Sequence, residues 1–71
     1  MDTKLRKAFI EAIDQRVMAH SRDLGASDDK MLLNYARSAQ LTTKEALEAA
    51  GFKPKQVEAI VEWIYAVPKA A

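Results

Sequence analysis

Residues 41–68 read LTTKEALEAAGFKPKQVEAIVEWIYAVP, and the punctuation of this stretch decides the fold. Thr42 and Glu45 have the T-x-x-E spacing of a capping box, in which each side chain satisfies a backbone amide left free at a helix start. Leu41 and Ala46 stand where a weak hydrophobic staple would sit. A short helix over 43–50 follows, and Gly51 stops it, because glycine enters the left-handed conformation of a helix ending without a Cβ penalty. Phe52 lies where the apolar member of a Schellman ending packs back. Pro54 restarts the chain at a first helical position, where its missing amide costs nothing. Val57, Ile60, Val61 and Ile64 then line a second helix over 54–67, which Pro68 is expected to end.

Upstream, the same reasoning predicts two more helices. Asp2 or Thr3 can cap a first helix over 3–24. At about 100° per residue, Leu5, Phe9, Ala12, Ile13, Val17 and Leu24 share one stripe of it, and Gly25 follows as a stop. Ser27 reads as the cap of a second helix over 28–40, with Asp28 and Asp29 complementing the positive end of its dipole. Met31, Leu32, Tyr35, Ala36 and Ala39 form its expected inner face, and Leu33 points elsewhere. The expectation is a single all-α domain over 1–71: a small four-helix fold in which a long N-terminal helix precedes three shorter ones, the last two forming a helix–turn–helix. A variant topology packs the first helix against a three-helix unit.

Composition supports a globular chain and narrows its chemistry. Hydrophobic residues make up 49% and charged residues 30% of 71 residues, too apolar for a disordered segment. A chain this short buries only about 60% of its unfolded surface, so it needs regular helix packing, self-association or a staple. The absence of cysteine excludes disulfides and thiolate metal sites. One histidine builds no zinc site without several carboxylates. Eleven basic and ten acidic side chains give +1, which leaves no global field to steer the protein to nucleic acid or membrane. No apolar run approaches the roughly 20 residues of a membrane span, the N-terminus lacks a signal-peptide core, and a cytoplasmic protein is expected.

Catalysis finds no foothold. The sequence has no glycine-rich phosphate loop, nucleophile elbow or Cys–His pair. Its carboxylates, such as Glu58 and Glu62 or Glu45 and Glu48, have the spacing of solvated helix faces. No cofactor or catalytic residue is assigned. His20 falls inside the first helix's apolar stripe. There it reads as a partly buried imidazole favouring the negative helix end, with a pH switch or an interface contact as the sharper alternative. Arg16, on the same stripe, reads as snorkelling at the core edge or as meeting a partner's carboxylate.

Two resemblances bear on binding. The segment over 43–64, with Gly51 at the turn and Val57 and Ile60 at buried positions, resembles in part the helix–turn–helix of DNA-binding proteins. It departs at Leu47, where that motif uses alanine for close approach. The resemblance implies a recognition helix offering Lys53, Lys55 and Gln56 to nucleic acid, with Lys44 nearby. Glu58 and Glu62 on the following turns oppose phosphate contact. The arrangement GF-x4-V-x2-I over 51–60 also looks like the loop and second helix of ubiquitin-associated-type three-helix bundles, with Phe52 as the loop aromatic.

The apolar residues outside the stripes favour protein binding. Trp63 projects away from the Val57–Val61–Ile64 stripe, with Val67 and Ile60 between. Met18, Ile10 and Leu33 lie off or at the edge of theirs. Such residues either widen the core or form an interface patch, for which tryptophan is a typical anchor. The resulting expectation is a non-catalytic helical protein-binding module. It would act as an accessory regulator or inhibitor on a larger protein and self-associate as a homodimer. The competing expectation is a DNA-binding transcriptional regulator.

Overall fold

Helix starts and stops carry the architecture. The protein is described by a computed structural model, which covers residues 1–17 and 29–70, with backbone only at 68–70. Among the described residues there are four helices and no strand: α1 (Thr3–Val17), α2 (Asp29–Ser38), α3 (Lys44–Ala49) and α4 (Pro54–Ala70). The domain is therefore all-α, and no described helix is long and apolar enough to cross a membrane. The expected stretch of the first helix beyond residue 17, Gly25 and the Ser27–Asp28 cap lie outside the described residues.

Asp2 caps α1: its Oδ1 accepts from the Leu5 amide at 2.8 Å, and its carbonyl accepts the first helical bond from Arg6. The cap of α3 is Thr43, whose Oγ1 accepts from the Ala46 amide at 3.1 Å. This corrects the expected Thr42–Glu45 box by one residue. With Thr43 as the cap, the third helical position holds Ala46, which has no side-chain acceptor to return. The staple positions move with it, from Leu41 and Ala46 to Thr42 and Leu47, and the first of these is polar. At the start of α4, Lys53 is the cap residue, and its amide donates to Gln56 Oε1 at 2.9 Å. Pro54 occupies the first helical position as expected.

At its far end α4 runs on through Pro68 to Ala70, so this proline does not end the helix. Proline's fixed φ is that of a helix, and this close to the terminus the lost N–H bond and the crowding of the carbonyl four residues back fall in the last turn.

The core gathers Leu5, Phe9, Ile10 and Ile13 of α1, Leu32, Leu33 and Ala36 of α2, Ala39, Leu41, Leu47, and Val57, Ile60, Trp63 and Val67 of α4. α1 packs on α2, α2 on α4, and α3 on α4. Because α2 and α4 each meet two neighbours, their buried arcs differ from the single-stripe expectation. On α2, Leu33 is buried and Met31 is 38% exposed, the reverse of the expected assignment. On α4 the buried arc is Val57, Ile60, Trp63 and Val67, and Val61 and Ile64 are only half-buried. Phe9 sits at the centre, edge-on to Trp63 at 5.6 Å and to Phe52 at 6.4 Å. Aromatic pairs of this geometry contribute about 0.5–1.5 kcal/mol beyond area burial. They tie α1 to the turn before α4 and to the middle of α4.

Candidate interaction surface

Burial removes most of the apolar residues expected to face a partner. Trp63 is 8% exposed, and Ile60, Val67, Ile10 and Leu33 are buried as well. For Leu33 on α2 and for Trp63 on α4 the place off a single stripe reflects packing against two neighbouring helices. Arg16 is exposed, outside the core, and its Nη1 donates to the Ala12 carbonyl one turn back at 3.0 Å. Met18 and His20 lie outside the described residues.

Among the described residues the large apolar side chains left exposed are Met31 of α2 and Tyr65 of α4. Tyr65 is 72% exposed, and half-buried Val61 and Ile64 precede it at i−4 and i−1. Residues three and four apart neighbour one another along a helix, so these three form a short strip. Glu58 and Glu62, both exposed, border its Tyr65 side. Sequence reasoning placed Val61 and Ile64 in the core and passed over Tyr65. The size of Trp63 is the signal that would have turned the helix, since the largest apolar side chain has the most to gain from burial.

The cations of the nucleic-acid reading are displayed but dispersed. Lys44, Lys53 and Lys55 are exposed, while Gln56 is half-buried with its amide oxygen occupied by the Lys53 amide. Lys55 and Gln56 share an open groove of about 360 Å³ with Asp2, Lys4, Leu5 and Ala59. Exposed Glu45, Glu48, Glu58 and Glu62 interleave with the lysines on α3 and α4. A phosphate backbone approaching this side would meet carboxylates within a turn or two of every lysine, at a Coulomb cost. Leu47 is fully buried, a bulkier side chain than the alanine that brings helices closest in DNA-binding motifs.

A second groove lies between α2 and α4. Lys30, Leu33, Asn34, Arg37 and Val67 line it. Across α1 and α2, Arg6 and Asp29 form an ion pair at 2.7 Å. No protein-family model, curated protein or solved structure matches the chain.

Proposed function

We propose that the protein is a non-catalytic helical binding module that docks on another protein through the outer strip of α4. Exposed Tyr65 beside half-buried Val61 and Ile64 is the observation that supports this reading. Tyrosine is favoured at interfaces because its ring adds contact area at low entropic cost and its hydroxyl tolerates water. Three apolar residues at i, i+3 and i+4 suit the docking of a helix face into a partner's groove. In that role the module would work as an accessory regulator or inhibitor by occluding the surface it covers. A second copy of the chain is one candidate for the partner, as the small size of the domain suggests.

Site-specific photo-cross-linking tests the reading. A benzophenone amino acid at position 65 is expected to give a defined adduct that the same probe at exposed Lys7 does not. An adduct of twice the chain mass identifies self-association, and any other mass a distinct partner. Equal labelling from both positions, or none, overturns the docking face. A duplex-DNA complex formed at low salt and lost in Lys53→Ala and Lys55→Ala would replace this reading by the nucleic-acid one.

A further inference from the structure

The groove between α2 and α4 has the chemistry of a seat for acidic peptide. Lys30, Asn34 and Arg37 follow one another at i, i+4 and i+7 on α2, and all three are exposed. With Leu33 and Val67 they line an open groove of about 260 Å³. Leu33 and Val67 are nearly buried, at 4% and 5% exposure, and so form an apolar floor beneath a polar rim. Among the described residues no carboxylate lines it, whereas the groove at the starts of α1 and α4 includes Asp2 and the one beside Gly51 includes Glu11. Among the described residues no carboxylate pairs with Lys30 or Arg37. Asp29, next to Lys30, is engaged by Arg6.

Helix stability accounts for one of these cations and not the other. Arg37 lies in the last turn of α2, where a positive charge complements the dipole, but Lys30 lies in the first turn, where it opposes it.

We propose that this groove docks an acidic segment of a partner protein. Two of the segment's carboxylates pair with Lys30 and Arg37, an apolar side chain between them settles over Leu33 and Val67, and Asn34 meets its main chain. At 1.5 Å rise per residue the two cations are separated by about 10 Å along α2. The matching carboxylates are therefore two turns apart on a helix. This surface is separate from the Tyr65 strip and does not depend on it.

A fluorescent helical peptide with Glu at i and i+7 and Leu between them is the probe, with a Lys-for-Glu version as control. Saturable polarisation binding of the Glu peptide alone is expected, with amide shift changes in NMR spectra centred on Lys30, Leu33, Asn34 and Arg37. Lys30→Glu and Arg37→Glu together should weaken binding about tenfold or more, since rim charges set such encounters. Tyr65→Asp and Lys53→Glu should leave it unchanged, and circular dichroism should show every variant folded. Absence of saturable binding overturns the proposal. So does a loss on Lys53→Glu equal to that on Arg37→Glu, because the attraction would then be general rather than seated in this groove.

Discussion

Gln40 and Gly51 hold equivalent positions in two copies of one helix ending. Both have positive φ, 58° and 98°. The Gln40 amide donates to the Arg37 carbonyl and the Gly51 amide to that of Glu48, each at 3.0 Å. The next residue then reaches five back: Leu41 to the Ala36 carbonyl at 2.9 Å, Phe52 to that of Leu47 at 3.2 Å. These are the paired bonds of the Schellman motif. Each ends on a large apolar residue turned inward, Leu41 fully buried and Phe52 half-buried.

The two sites differ in how well the residue suits the conformation. Gln40→Gly should stabilise the domain by about 0.5–1 kcal/mol, because a residue with a Cβ is strained at that φ. Gly51→Ala should destabilise it by about 1 kcal/mol. A Cβ at Gly51 meets nothing within 4 Å, so the cost is conformational rather than steric. Urea midpoints at unchanged slope measure both.

Adjacent threonines separate the cap from its neighbour. Thr43→Ala removes the acceptor of the Ala46 amide and should cost about 1 kcal/mol, whereas Thr42→Ala should cost less than about 0.5 kcal/mol. Equal losses in thermal or chemical denaturation would contradict the cap geometry.

Trp63 combines a well-packed ring with an ill-served N–H. Its Nε1 is buried and finds no hydrogen-bond acceptor among the described residues. Trp63→Ala should cost about 3–5 kcal/mol through the cavity it leaves. Trp63→Phe keeps a ring against Phe9 and deletes the unsatisfied donor, which offsets part of the lost volume. It should cost less than about half as much as the alanine variant, as read by denaturant titration.

The Arg6–Asp29 pair links α1 to the first turn of α2, and its side chains are 20% and 50% exposed. A double-mutant cycle with Arg6→Ala and Asp29→Ala should return a coupling of about 0.2–1 kcal/mol. Added salt should shrink it further. A salt-independent coupling would mean that the two residues communicate through packing instead.

Legibility followed local chemistry. The Gly51–Phe52 ending was readable because glycine marks the left-handed position, while its twin at Gln40–Leu41 carries no such mark. The cap of α3 slipped by one because two threonines are adjacent and Glu45 favoured the wrong one. The arcs of α2 and α4 were harder, since periodicity finds the centre of one stripe and cannot say that two neighbours share a helix. That is why Leu33 and Trp63 read as surplus surface, and why Tyr65 and the Lys30–Asn34–Arg37 row drew no notice. Residues facing outward are constrained by what they bind, which leaves no period in the chain.

The environment of Trp63 has an optical consequence. It is the sole tryptophan, and at 8% exposure it leaves little mobile water to reorient around its excited-state dipole. Its emission should therefore lie toward the blue in the native state and move to the red on exposure to water. Since its ring abuts Phe9, the colour of one side chain reports whether α1 and α4 are still together, and the native sequence needs no added label.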